Sequence, residues 1–201
     1  MEEKLPVVEI FASLQGEGFY SGSPAAFIRL AGCDVGCIWC DSINSWSAGK
    51  HPKLSIDEIA SRVGTLDLKK VVITGGEPLM YNLDLLTEKL KSKGHQLHIE
   101  TSGVYPLSGQ WDWICLSPKR HKLPGGNEVF KIANELKIVI TDREDFSWAE
   151  DMKNKVDESC RLFLQPEYSS SENILPTLFK YVLKNSYWNI SIQLHKFMNI
   201  P

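Results

Sequence analysis

The sequence predicts an α/β fold, an incomplete and open (β/α) barrel of about six parallel strands. Three observations predict it. Short apolar, β-branched runs alternate with helical patterns, which reads as repeated parallel βα units with right-handed crossovers. Polar or glycine-rich motifs follow the strands, after Ala31, Ile73, Glu100, Leu116, Leu164 and Leu194, and parallel α/β folds place ligands at the carboxyl ends of their strands. The chain has 201 residues, against about 250 in a complete eightfold barrel. No repeat, low-complexity tract or linker divides it, so residues 1–201 read as one domain.

Taken in order, Val7 to Phe11 reads as a short strand. A glycine-rich loop follows, Leu14-Gln15-Gly16-Glu17-Gly18. Glycine lets backbone approach a ligand closely, although such a loop taken alone is usually a turn. Ala25 to Ala31 is a buried strand, interrupted by Arg29. A guanidinium there needs an anion, either an internal carboxylate or that of a bound substrate. Ser55-Ile56-Asp57-Glu58 is a capping box opening a helix to about Val63. Lys70 to Thr74 is a strand running into Gly75-Gly76-Glu77-Pro78. Leu79 to Lys93 reads as an amphipathic helix stopped by Gly94. Strands follow at Gln96–Thr101 and Trp113–Leu116, the second leading to Ser117-Pro118-Lys119. A helix over Asn127–Asn134, a strand over Glu135–Thr141 and a helix near Ser147–Val156 come next. Arg161–Leu164 is a strand that meets Gln165-Pro166, Glu172–Leu183 a helix, and Asn189–Leu194 the last strand, before His195-Lys196.

Hydrophobic content of 43%, charged content of 23% and a net charge of -3 are ordinary for a globular protein. That charge favours neither nucleic acid nor an anionic membrane, and no apolar run reaches the length of a membrane span. Met1-Glu2-Glu3-Lys4 lacks an apolar stretch, so no signal peptide is expected and the protein is expected to be cytoplasmic. Five cysteines, three of them clustered, argue against a disulfide framework. Cys115 and Cys160 lie in apolar sequence and read as buried thiols.

The chemistry centres on Cys33-Asp34-Val35-Gly36-Cys37-Ile38-Trp39-Cys40. Thiolates hold zinc or iron–sulfur clusters, and both usually take four ligands. A four-iron cluster on three thiolates leaves one iron open to a non-protein ligand. A structural zinc site is the alternative, with His51 as the nearest candidate fourth ligand. The compact loop, with Gly36 and Trp39 inside it, suits a cluster better.

The spacing Cys-x3-Cys-x2-Cys resembles the radical S-adenosylmethionine (SAM) superfamily, in which SAM itself chelates the fourth iron. Gly75-Gly76-Glu77-Pro78 is similar to the segment that holds the amino end of SAM there. Several further motifs narrow the resemblance: Leu14-Gln15-Gly16-Glu17-Gly18, Arg29, Asp41-Ser42, Thr74, Glu100-Thr101-Ser102-Gly103, Ser117-Pro118-Lys119, Gln165-Pro166 and Gln193-x-His195-Lys196 with Pro201. From about Glu9 to Pro201 the chain resembles the 7-carboxy-7-deazaguanine synthase family of queuosine and 7-deazapurine biosynthesis.

The resemblance implies a lyase that converts 6-carboxy-5,6,7,8-tetrahydropterin to 7-carboxy-7-deazaguanine. A radical derived from SAM would abstract a hydrogen, the six-membered ring would contract, and ammonia would leave. It implies a 4Fe-4S cluster on Cys33, Cys37 and Cys40. It implies SAM contacts from Trp39, Asp41, Gly75, Gly76, Glu77, Ser117, Pro118, Lys119, Gln165, Pro166, Glu167 and Tyr168. Leu14, Gln15, Gly16, Arg29, Thr74, His195 and the terminal carboxylate of Pro201 would bind substrate. Ser42 would be the magnesium ligand, where many relatives have threonine. An electron donor such as flavodoxin or ferredoxin is implied, and a homodimer, which an open barrel edge would suit.

The remaining motifs have plainer readings. His98 and Glu100 alternate on one strand and read as a polar network. Lys119-Arg120-His121-Lys122 reads as a solvated basic loop, not an RNA contact. Trp111 and Trp113 read as packing residues. Two rival functions stand beside the lyase: a radical SAM activase of a glycyl-radical enzyme, and a zinc-stabilised binding module without catalysis.

Overall fold

A computed structural model describes residues 3–201; Met1 and Glu2, part of the stretch read above as no signal peptide, lie outside the described residues. The strands are β1 (Lys4–Leu14), β2 (Pro24–Leu30), β3 (Lys53–Ser55), β4 (Lys70–Gly75), β5 (Gln96–Thr101), β6 (Trp113–Leu116), β7 (Glu135–Ile140), β8 (Arg161–Pro166) and β9 (Trp188–Ile190). They form one nine-stranded sheet in the order β3-β1-β2-β4-β5-β6-β7-β8-β9. From β2 through β4 to β9 every pairing is parallel, while β1 is antiparallel to both β2 and β3. β3 and β9 are the two ends of this order, so the barrel is open.

The helices are α1 (Ile56–Gly64), α2 (Asp84–Ser92), α3 (Glu128–Ile132), α4 (Glu144–Lys153), α5 (Ser171–Lys184) and α6 (Leu194–Met198). Alternation along the strands separates two environments. Leu97 and Ile99 of β5 and Val71 and Ile73 of β4 join Ile59, Leu86 and Leu90 of α1 and α2 in one outer core. Leu136, Ile138 and Ile140 of β7 join Phe130, Phe146 and Leu178 of α3 to α5 in a second. The interior is only partly apolar, with a small cluster of Ala25, Phe27 and Val72 capped by Phe11. Its lower end, at the starts of the strands, is plugged by rings: Phe19 stacks on Trp113 at 5.1 Å, and Tyr20 packs against Trp113 and His98 at 4.8 and 4.6 Å.

Local sequence explains most boundaries. The capping box forms as expected, Ser55 Oγ accepting from Glu58 N and the Glu58 carboxylate from Ser55 N. The helix expected over Leu79–Lys93 is instead a 3-10 turn at Pro78–Met80 followed by α2. Asn82 Oδ1 takes the Asp84 amide at 2.8 Å and Ser108 Oγ the Leu83 amide at 3.0 Å, which turns the chain out of helix between them. α4 starts three residues before the expected Ser147, because Asp142 caps the Glu144 amide at 2.8 Å. β9 is shorter than the expected Asn189–Leu194: Ser191 turns aside to donate to Gln165 Oε1 at 2.7 Å, and Leu194 opens α6. β3 and α6, at three and five residues, carry too little periodicity to read from sequence. No helix among the described residues is long and apolar enough to cross a membrane.

Candidate active site

Above the interior, at the carboxyl ends of the strands, lies a cavity of about 640 Å³. The loop after β2 brings Cys33, Cys37 and Cys40 to its wall. Gly36 turns that loop at φ +76°, a conformation that suits glycine. All three cysteines are free thiols, and Trp46 Nε1 donates to Cys40 Sγ at 3.3 Å. Burial pushes the Cys33 thiol above its ordinary range, with the Glu77 and Cys40 charges adding to the rise. Burial raises Cys37 likewise, partly opposed by Lys119. Mutually repelling, half-desolvated sulfurs on one wall need a cation to become thiolates, which fits an iron–sulfur cluster.

The loop after β4 faces the cysteines. Gly76 N donates to Leu30 O at 3.0 Å and Glu77 N to Gly32 O at 2.8 Å, so this backbone runs hard against the start of the cysteine loop. A Cβ on Gly76 would collide with the Gly32 carbonyl. Glu77 is buried, and its carboxylate accepts from Thr101 Oγ1 at 2.5 Å, Ser102 N at 2.8 Å and Leu79 N at 3.0 Å. It therefore joins the ends of β4 and β5, and the backbone of Gly75 and Gly76 is left to meet a ligand.

The other expected residues gather on the same cavity. Leu14, Gln15, Gly16, Arg29, Thr74, His195 and Pro201 line it, as do Trp39, Asp41, Ser42, Ser117, Lys119 and the Gln165-Pro166-Glu167-Tyr168 segment. Pro118 alone of the expected set lies off it, in an adjoining pocket of about 370 Å³ that shares Trp39 and Lys119. Arg29 finds an internal carboxylate, Glu9 at 2.7 Å, and also reaches Ser42 Oγ at 3.3 Å. Ser42 in turn lies 3.3 Å from Asp41 Oδ1.

Several lining residues were not singled out for the site by the sequence, and three of them are charged and bonded to one another. Glu17, Glu100 and Lys137 form a buried ion cluster on the cavity floor, with Lys137 bonded to Glu17 and, at 2.9 Å, to Glu100. Gln15 Nε2 adds a bond to Glu100 at 2.9 Å. Burial opposes the charge on Lys137, but Cys115, Glu100, Glu17 and Glu135 around it raise its ammonium well above the ordinary range. The available signal was a lone charge in the apolar β7, the same signal that marked Arg29.

α6 closes one side of the mouth. Leu194 N donates to Gly16 O at 2.8 Å, Gln193 bonds Glu17 and Asp41, and Lys196 pairs with Asp41 at 3.0 Å. Burial holds the His195 imidazole below its ordinary pKa, against the pull of Glu17.

Two of the plainer readings change. The basic run is not simply solvated: Lys119 Nζ bonds Ser117 at 2.7 Å, His121 meets Val35 O at 2.9 Å and Lys122 pairs with Asp34 at 2.8 Å. It braces the cysteine loop. His98 packs among the rings of the plug, while Glu100 belongs to the ion cluster. Trp111 packs on the outer core and Trp113 in the plug, as expected. Cys115 and Cys160 are buried thiols, also as expected.

The radical SAM superfamily model matches residues 27–115. A 7-carboxy-7-deazaguanine synthase of Flavobacterium psychrophilum is 48% identical over 99% of this chain and 94% of its own length. The enzyme of that name from Synechocystis is 47% identical over 97% of this chain and 93% of its own. The chain belongs to the 7-carboxy-7-deazaguanine synthase family. The crystal structure of QueE from Escherichia coli superposes with a TM-score of 0.83 at 29% identity, covering 96% of this chain and 95% of that one. Membership of the 7-carboxy-7-deazaguanine synthase family decides against both the activase and the zinc-module readings.

Proposed function

We propose that this protein is a radical SAM lyase that converts 6-carboxy-5,6,7,8-tetrahydropterin to 7-carboxy-7-deazaguanine with loss of ammonia. One observation carries the reading: three free cysteines, the Gly75-Gly76 backbone and the Gln15, Arg29 and Thr74 side chains all face one cavity. Residues 1–201 are read as a single radical SAM domain, since one sheet carries every loop that lines that cavity.

Cys33, Cys37 and Cys40 would hold a 4Fe-4S cluster, and Trp39, Asp41, Gly75, Gly76, Ser117, Lys119 and Gln165 to Tyr168 would seat SAM. When bound, these cofactors supply the one-electron cleavage that yields a hydrogen-abstracting radical. This chain's residues do the rest by position. Arg29, held by Glu9, presents its guanidinium fork to the substrate carboxylate. Glu17 and Glu100 offer carboxylate oxygens to the N–H groups of the pterin edge. Gln15, Gly16, Thr74, His195 and Pro201 bound the same space, and α6 screens it from water.

Magnesium fits as a single-contact ion. Ser42 Oγ and Asp41 are the nearby oxygens, and among the described residues no group of three or more His, Cys, Asp or Glu is gathered to hold a metal. Magnesium retains waters and substrate oxygens, so one hydroxyl suffices. The reductant is a small one-electron carrier of the flavodoxin or ferredoxin kind, and the chain acts as a homodimer in the cytoplasm.

Anaerobic reconstitution should give about four irons and four sulfides per chain. Incubation with SAM, reductant and the carboxypterin should then give a product with the mass of the deazapurine. SAM cleavage with an intact cluster but no deazapurine would overturn the substrate assignment.

A further inference from the structure

Behind the cavity floor, the barrel interior holds two titratable groups that do not line the cavity, Cys115 and Glu135. Glu100, Cys115 and Glu135 stand opposite one another on β5, β6 and β7, Glu100 in register with Cys115 and Cys115 with Glu135. Residues paired across adjacent strands share a face, and here that face is the interior. Glu100 opens onto the cavity. The Cys115 thiol donates to Glu135 Oε1 at 3.5 Å, and Glu100 stands beside it across the β5–β6 pairing. Cys115 and Glu135 are only 2% and 3% exposed.

Every element around Glu135 contributes a charged or polar neighbour. Phe19 N donates to it at 3.2 Å from the glycine-rich loop, and Trp113 Nε1 at 3.0 Å from β6. Glu100 faces it from β5, Lys137 from its own strand, Arg161 is its register partner on β8, and Cys160 precedes β8. Burial, then the charge on Glu100, push the Glu135 carboxyl up to about 7, against Lys137 and the two N–H donors. Burial also pushes the Cys115 thiol well above its ordinary range, so it rests as a neutral thiol. The ring plug of Phe19, Tyr20 and Trp113 shuts the barrel below Glu135.

We propose that Glu135 and Cys115 form a proton store that exchanges with the substrate cavity through Glu100. This rests on the lyase reading above. In that reaction, substrate equals product plus ammonia, with no net change in protons or electrons. A proton lost from the contracting ring must therefore reach the departing nitrogen. The Glu100 carboxylate takes up a proton from Cys115 and hands it to that nitrogen, and an N–H bond forms as the carbon–nitrogen bond breaks. The Glu135 carboxyl proton passes to Cys115. A C–H proton released as the new ring becomes aromatic travels the same path in reverse and restores Glu135. The cycle consumes nothing and needs no added oxidant. Glu100 is the catalytic residue in this scheme, and Cys115 and Glu135 are positioning residues that act through it.

The test uses anaerobically reconstituted wild type, Glu135→Gln, Cys115→Ala and Cys115→Ser, each assayed from about pH 6 to 9 for deazapurine and for 5′-deoxyadenosine. Glu135→Gln and Cys115→Ala should lose about tenfold or more in kcat, with the pterin KM and iron content unchanged and SAM cleavage retained. Glu135→Gln should also lose the rate change near neutral pH. Cys115→Ser, whose hydroxyl can pass a proton, should recover most of the loss. Wild-type rates and a superposable pH profile in Glu135→Gln and Cys115→Ala would overturn the proposal, as would Cys115→Ser no better than Cys115→Ala. Should Glu135→Gln not fold, infrared spectra of the wild type decide: a buried carboxyl band that titrates near neutral pH supports the store, and its absence overturns it. A wild type that cleaves SAM but forms no deazapurine overturns the lyase reading, and this one with it.

Discussion

Lys137 is the residue on which the cavity floor depends. Its ammonium is almost fully buried and balances Glu17 and Glu100, which come from the glycine-rich loop and from β5. Removing one partner of a buried ion pair leaves the other charge stranded, at a cost of about 3–5 kcal/mol. Lys137→Met should therefore lower the urea midpoint by an amount in that range and raise the pterin KM. The double variant Lys137→Met/Glu100→Gln should regain part of the stability and none of the substrate affinity. Full stability in the single variant would refute this balance of charges.

At the scale of elements, the tightest requirement is the crossing of the loop after β4 over the start of the cysteine loop. Gly76 N and Glu77 N bond carbonyls of Leu30 and Gly32, and no side chain fits between them. Gly76→Ala should force the two loops apart, costing about 1–3 kcal/mol by overpacking. It should also displace Cys33, so iron content after reconstitution should fall more than Tm does. Normal iron loading in that variant would contradict the account. α6 acts at the same scale from the other side. Its bonds to Gly16, Glu17 and Asp41 tie the end of the chain to the glycine-rich loop and to the cysteine loop.

For the molecule as a whole, two interior groups set opposite pH limbs of stability. Burial, with Lys70 assisting, holds His98 down at about 4, so the fold loses stability as pH falls through the ordinary histidine range of about 6.5 toward that value. Glu135, pushed up to about 7, acts in the other sense: its contribution is present below about pH 4.5 and is lost as pH rises through 7. A plot of Tm against pH should flatten on the acid side in His98→Phe and on the neutral side in Glu135→Gln. Profiles that superpose on wild type would refute both assignments.

Some of this was legible in the chain and some was not, and locality separates the two. Cys33, Cys37 and Cys40 are neighbours in sequence, as are Gly75, Gly76 and Glu77, and short-range spacing of that kind fixed the class of chemistry. Short apolar strands with polar or glycine-rich motifs just beyond them also placed the site at one end of an open parallel barrel. The structure decided what depends on distant partners. Glu17, Glu100 and Lys137 are ordinary charges until strand register buries them together. Glu77 reads as a ligand group until Thr101 and Ser102 are seen to occupy it. Glu100, Cys115 and Glu135 come into line only because β5, β6 and β7 pair in that register, and no local pattern encodes which interior side chains will stand opposite one another.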